Sequence, residues 1–195
     1  MRQLLFVVAS LGLAVLLVVL MRPAGGGAFL PAALTNLVVV GWSSFVLPLR
    51  GLPRFDEYFE LRAWERSGRL YDVLGVPVFR SLVRRGPLSL FNHALPAAWH
   101  SGDPERIEHE ARTAEVGHAV AFLFVLALAI IALARGEPAR AAWLAVLDVP
   151  TNLYPVLLQR HHRVRLAQLL ASGELPPPGG GAPPEDATAR STRTR

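Results

Sequence analysis

Three stretches of this chain carry no charged side chain at all: residues 3–21, 23–49 and 119–134. A fourth, 141–159, holds only Asp148. An apolar run of about 18 or more residues is long enough to cross a bilayer as a helix. In hydrocarbon every backbone N–H and C=O must be satisfied within the segment, so a helix is the state open to such runs. The sequence therefore predicts an all-α, polytopic integral membrane protein with about four transmembrane helices, over 3–21, 28–49, 116–134 and 141–159. The first run follows Arg2 and exceeds the usual length of a secretory signal, so an uncleaved anchor is expected. In the second, Thr35, Asn36, Ser43 and Ser44 are tolerable because a helix can satisfy them internally or against a neighbour.

Residues 50–115 connect the second and third spans. They contain ten arginines and ten carboxylates, so their net charge is near zero. FDEYFELRAW predicts an amphipathic helix that stops at Ser67-Gly68. Leu70, Val73 and Leu74 followed by Gly75, then Pro77-Val-Phe-Arg-Ser-Leu-Val83, predict a second short helix with proline in its first turn. Trp and Tyr beside arginines suit helices lying in the headgroup layer. The segment 88–100 is mildly apolar but too short to span, and is expected to dip into the interface. Ser101-Gly-Asp-Pro104 reads as a cap for a helix that runs into the third span. The turn Arg135–Arg140 then returns the chain directly into the fourth. Residues 1–170 thus read as a single membrane domain. Residues 171–195, rich in Pro, Gly and small polar residues, cannot bury a core and read as a disordered tail.

Arginines are unevenly distributed. Ten lie in 50–115 and six after residue 159, against Arg22, Arg135 and Arg140 in the two short turns. The positive-inside rule then places both termini and the long connection in the cytoplasm. All 20 basic residues are arginine, which excludes a lysine Schiff base, and the absence of cysteine excludes disulfides, thiolate metal sites and a cysteine nucleophile. The net charge of +5 is concentrated beside apolar spans. It implies contact with anionic headgroups and no nucleic-acid partner.

On the fourth span, Asp148, Asn152, Pro155, Gln159 and His162 recur as one polar stripe at 100° per residue. Such a stripe either glues helices together or walls a site. The tight turn near residue 137 makes the third and fourth spans a hairpin. Glu115 is then level with Gln159, His118 with Val156 and Arg112 with His162. Glu108, Arg112 and Glu115 share one face within about 60°. The expected chemistry has His118 as general base with Glu115 orienting it. Asn152 and Gln159 position an alcohol or a carbonyl. Arg160 and Arg163, with Arg112, bind an anionic group. Asp148 lies about 16 Å along the helix from Gln159 and reads as structural. Pro150 and Pro155 are expected to bend the fourth helix. No tight ligand spacing supports a metal, and His93, His100 and His109 read as surface residues. Walker, Gly-x-Gly-x-x-Gly, Gly-x-Ser-x-Gly and His-x-x-x-x-Asp patterns are absent.

These residues also carry a resemblance. Asn152-Leu-Tyr-Pro-Val-Leu-Leu-Gln159-Arg160-His-His-Arg163-Val-Arg165-Leu166 resembles the C-terminal motif of the glycosyl-4,4'-diaponeurosporenoate acyltransferase family. Glu110-Ala-Arg-Thr-Ala114-Glu115-Val-Gly-His118 is similar to that family's entrance to the preceding span, and Phe59 to Phe79 to its interfacial segment. The similarity covers about residues 55–170; His161-His162 stand where the family has Tyr-Asn. The resemblance implies a small bacterial membrane protein; together with the four spans and the arginine count, a multi-pass protein of the inner membrane with both termini cytoplasmic is expected. It implies an O-acyltransferase that moves a fatty acyl group onto a hydroxyl of a glycolipid or glycosylated carotenoid or terpenoid. The acyl donor would be acyl-CoA or another activated acyl group acting as co-substrate, with no tightly bound cofactor. The partners would be membrane lipids, the lipid-soluble glycosylated acceptor and other membrane proteins. The rival reading is a non-enzymatic scaffold or subunit whose polar stripe binds a partner helix. A transporter ranks last, because the first two spans offer too few polar groups for a path.

Overall fold

The computed structural model describes residues 1–22, 27–46, 49, 56–85 and 94–174. Among these, the regular structure is helical: α1 (Arg2–Leu20), α2 (Phe29–Phe45), α3 (Asp56–Phe59), α4 (Arg69–Val73), α5 (Val76–Arg85), α6 (Ala94–Ser101), α7 (Pro104–Ala134), α8 (Pro138–Asp148), a π-helical turn (Val149–Leu153) and α9 (Tyr154–Ser172). Three helical units are long and apolar enough to cross a membrane: α1, α7 and the continuous Pro138–Ser172 rod. The fourth expected span is the apolar but shorter α2. Its 17 residues reach about 26 Å.

α7 has 31 residues, or about 46 Å, and joins the polar helix and the third span in one rod. Asp103 starts it: its carboxylate accepts from the Glu105 and Arg106 amides, with Pro104 at the first position, as the sequence predicts. Ala111, Val125, Ala129 and Ala132 are buried along α7, and such small residues let backbones approach. The closest approach is at Gly117, where a Cβ would stand 3.4 Å from the Ser43 carbonyl oxygen of α2. Around this seam α1, α2, α7 and α8 share a core of Leu17, Val39, Ala121, Val125 and Leu144. Most of α1 faces outward, with Leu4, Leu11, Val15 and Val18 exposed, as a lipid-facing helix requires.

The Arg135–Arg140 turn meets the C-terminal end of α1. Arg140 is buried and donates from Nη1 to the Met21 carbonyl (2.8 Å) and from Nη2 to the Arg22 carbonyl (2.9 Å). Its guanidinium thereby caps the orphan carbonyls at the end of α1. Glu137 pairs with it at 2.8 Å.

The bend expected from Pro150 takes the form of the π-helical turn. Proline cannot donate to the preceding turn and its ring clashes there; one extra residue per turn relieves both. The amphipathic helix expected over FDEYFELRAW is only the single turn α3, followed by turns from 63 to 67. The carbonyls of Tyr58 and Phe59 turn to arginines of α9 and accept from them, and α3 ends at Phe59. Gly68 and Gly75, with φ of 74° and 73°, turn the chain into and out of α4. The described part of the 88–100 segment, α6, is docked on the protein: Leu95, Ala98 and Trp99 pack with Ile107, Ala111 and Leu166. α9 continues to Ser172, past the expected start of the tail; the rest of the tail, and His93, lie outside the described residues.

Candidate active site

Two polar clusters line the hairpin of α7 and α9, and between them they contain every residue the sequence singled out except Gln159. The first is an ionic cluster at the end away from the Arg135–Glu137 turn. Glu115 has no solvent-exposed surface. Arg160 Nε donates to its Oε1 at 2.8 Å and Arg163 Nη1 to its Oε2 at 3.1 Å. Arg160 Nη1 also donates to Glu65 (3.0 Å), and Arg163 Nε to Glu108 (3.0 Å). Each arginine spends its last nitrogen on the backbone, Arg160 on Tyr58 O and Arg163 on Phe59 O. Arg112 pairs with Glu108 at 2.8 Å. Phe59 lies between the guanidinium groups of Arg112 and Arg163, 4.8 and 5.3 Å from its ring centre, a cation–π arrangement.

Three carboxylates thus face three guanidiniums. Burying such charges costs several kcal/mol per ion, and close pairing with saturated hydrogen bonds offsets that cost. The surrounding phenols respond. Burial, then the charge and hydrogen bond of Glu115, push the Tyr58 hydroxyl up to about 12. Burial and its 2.7 Å bond to Glu65 push Tyr71 up as well. Burial works against ionised Glu65, but the Tyr71 hydroxyl, the Arg62 amide and the two guanidiniums outweigh it and hold the carboxyl below its usual range.

The second cluster lies deeper along the hairpin. His118 Nδ1 is 3.4 Å from Asn152 Oδ1, long for a hydrogen bond, as catalytic contacts often are without substrate. Asn152 Nδ2 donates to Asp148 Oδ1 at 2.7 Å and lies 3.4 Å from Thr151 Oγ1. Thr151 Oγ1 in turn reaches Leu147 O (2.7 Å) and Asn36 Oδ1 of α2 (3.1 Å). Asn36 donates to the Ala32 and Leu144 carbonyls. Asp148 and Asn152 are essentially inaccessible to solvent.

The hairpin register centred near 137 holds to within about one turn. The partners are nonetheless redistributed. Glu115 and His118 are neighbours on α7, yet Glu115 meets Arg160 and Arg163 while His118 meets Asn152. Those partners sit eight to eleven residues apart, at least 12 Å or so along a helix. The expected pairing of Glu115 with His118 is therefore replaced by one of Asn152 with His118. Arg160 and Arg163, expected to hold an anionic donor, have each guanidinium nitrogen committed to a carboxylate or a carbonyl. Arg112 keeps a third of its side chain exposed. Gln159 is buried, and its Oε1 has no partner among the described residues. Asp148, read as structural from its distance to Gln159, joins His118 through Asn152. Asp148, Asn152 and Gln159 of the polar stripe are buried, while Pro155 and His162 stay half-buried.

Sequence reasoning missed Glu65 and Tyr71, which come from a segment with no periodicity to aim them. Asp148 carried a signal: a lone carboxylate in an apolar span marks a functional site by default. His161 and His162, which depart from the family motif, stack near Tyr71 and Trp99 at 5.7 and 6.3 Å between ring centres. Among the described residues no three His or carboxylate side chains converge as a metal site.

The sequence model of the glycosyl-4,4'-diaponeurosporenoate acyltransferase family matches residues 55–172. That span contains the whole ionic cluster and, apart from Asn36, the whole His118 cluster. Comparisons with curated proteins and with solved structures gave no match. The match spans more than half of the chain, and the protein belongs to the glycosyl-4,4'-diaponeurosporenoate acyltransferase family, acyltransferases of carotenoid biosynthesis.

Proposed function

We propose that this protein is a membrane O-acyltransferase that moves a fatty acyl group onto a hydroxyl of a glycolipid or a glycosylated carotenoid or terpenoid. The observation that carries the reading is the half-buried His118–Asn152 contact, within the hairpin and inside the family match. His118 takes the proton of the acceptor hydroxyl as the oxygen attacks the acyl carbonyl. The tetrahedral intermediate then collapses, the ester forms, and the proton passes to the departing group of acyl-CoA or another activated acyl donor. Gln159, with its unpartnered amide oxygen, is assigned to the acceptor. Arg112, the exposed guanidinium of the ionic cluster, is assigned to the anionic part of the donor.

In this reading the chain crosses the bacterial cell membrane several times with both termini in the cytoplasm, and the ionic cluster lies at the cytoplasmic interface. Exposed Trp64, Val73, Val78 and Leu82 support an α4–α5 segment seated in the headgroup layer. The scaffold alternative needs the polar stripe to meet a partner helix, but Asp148, Asn152 and Gln159 are already covered within the chain.

The test is mass spectrometry of total lipids and pigments from cells with and without the gene, complemented by wild type or by His118→Ala. The expected outcome is loss of a species one fatty acyl group heavier than a precursor that accumulates, restored by wild type and not by His118→Ala. Full restoration by His118→Ala removes the mechanism; the absence of any such pair of species removes the function.

A further inference from the structure

Asp148 has no role in the chemistry set out above, yet it is the one carboxylate in an apolar span and is 1% exposed. Its Oδ1 receives the Asn152 amide at 2.7 Å, while its Oδ2 is buried with no partner among the described residues. We infer that Asp148 is a positioning residue: by orienting the Asn152 amide it holds His118 as the Nδ1–H tautomer and leaves Nε2 as the base. This deepens the acyl-transfer reading and rests on it for the role of the base.

The inference follows from which atoms can donate. A carboxylate oxygen presents only lone pairs, so the end of the Asn152 amide that faces Asp148 is the NH2. The second amide hydrogen points toward Thr151 Oγ1. That hydroxyl has only carbonyl-type acceptors, Leu147 O and Asn36 Oδ1, for its own hydrogen. Asn36 is itself locked, because its NH2 faces the Ala32 and Leu144 carbonyls. Every group in the chain therefore runs in one direction. The Asn152 carbonyl oxygen is left to face His118 Nδ1. A carbonyl oxygen only accepts, so a hydrogen bond at this contact requires the proton on Nδ1. A neutral imidazole has one N–H, and Nε2 then carries the lone pair. The Thr151 backbone carbonyl is a second acceptor beside the ring, and the tautomer reports which acceptor the N–H serves. Removing Asp148 takes away the strongest constraint on the amide. A flipped Asn152 would present its NH2 to Nδ1, move the proton to Nε2 and abolish the base.

Two measurements test this on the full chain in membranes. The first reads the tautomer directly, by 15N NMR of histidine-labelled protein with the His118 signals assigned from a His118→Gln sample. Wild type is expected to show protonated Nδ1 and unprotonated Nε2. Asp148→Leu is expected to show a mixture or the reverse. The second is turnover. Asp148→Leu is expected to lower kcat about 10–100-fold, by analogy with the loss of partners that orient metal-bound histidines, with KM for the acceptor little changed. The exchange pair Asp148→Asn with Asn152→Asp guards against simple misfolding. A carboxylate at position 152 accepts both from the amide introduced at position 148 and from His118 Nδ1. The double variant is therefore expected to keep the Nδ1–H tautomer and recover most of kcat. A wild-type spectrum showing protonated Nε2, or unchanged kcat in Asp148→Leu, overturns the inference. Since the spectrum needs no substrate, it judges Asp148 even where the acyl-transfer assay shows no product, an outcome that would count against the proposed function.

Discussion

Arg163 shows how one side chain can be worth more as a strut than as a ligand. Its guanidinium is 2% exposed and sits between Glu115 and Glu108. Replacing it with leucine leaves Glu115 buried beside Arg160 alone and takes a partner from Glu108. Breaking a buried pair by removing one member costs about 3–5 kcal/mol. Arg163→Leu is thus expected to lower the unfolding temperature in detergent strongly, and a shift within error would contradict the structural role. Arg112 is the contrast. A third of its side chain is exposed, and solvent screening keeps such pairs below about 1 kcal/mol. The arginines look alike in sequence, since charge pattern alone does not tell a neutralised guanidinium from an available one. What separates them is the count of acceptors brought by α3 and the 60–67 turns.

At the scale of elements, Glu65 is one of the groups that attach the 56–85 segment to the hairpin. Its carboxylate binds Tyr71, the Arg62 amide and Arg160, tying the 62–71 region to α9. Because its folded-state pKa is lowered from the ordinary 4.5, the attachment contributes fully above that value and is lost as pH falls through the folded value. Limited proteolysis within 60–67 is therefore expected to speed up as pH drops below about 4.5, while α7 and α9 stay protected. Glu65→Gln is expected to reproduce the sensitivity at neutral pH. An unchanged cleavage rate in both would show that apolar contacts of Val76 and Leu158 hold the segment by themselves. The sequence indicated helical, amphipathic pieces here and placed Pro77 and the glycine turns well. It could not show that α3 ends after one turn, because the guanidinium donors that meet its carbonyls lie about a hundred residues further along the chain.

For the whole molecule, the contact of Arg140 sets the end of α1 beside the Arg135–Arg140 turn, away from the ionic cluster. With the arginine excess on the cluster side, the chain is expected to sit with its termini inside the cell. The protein has no cysteine, so single cysteines report without background. Ala139→Cys is expected to react with an impermeant maleimide in intact cells, and Ser172→Cys only after lysis. The opposite pattern would invert the topology.

Hydropathy and the turn chemistry of Asp103-Pro104 and Gly136 were enough to specify the membrane helices, the hairpin and its register to about a turn. These are local properties, because a bilayer obliges each apolar segment to satisfy its own backbone. The choice of partners was not local. Glu115 and His118 lie three residues apart and within about 60° on one helix, so a small rotation or a shift of one turn in α9 decides whether they act together. The π-helical turn at Pro150, the approach of α2 at Gly117 and the arrival of Glu65 settle that rotation. They separate a saturated ionic cluster from a buried His118–Asn152–Asp148 line, a division that only packing in three dimensions could make.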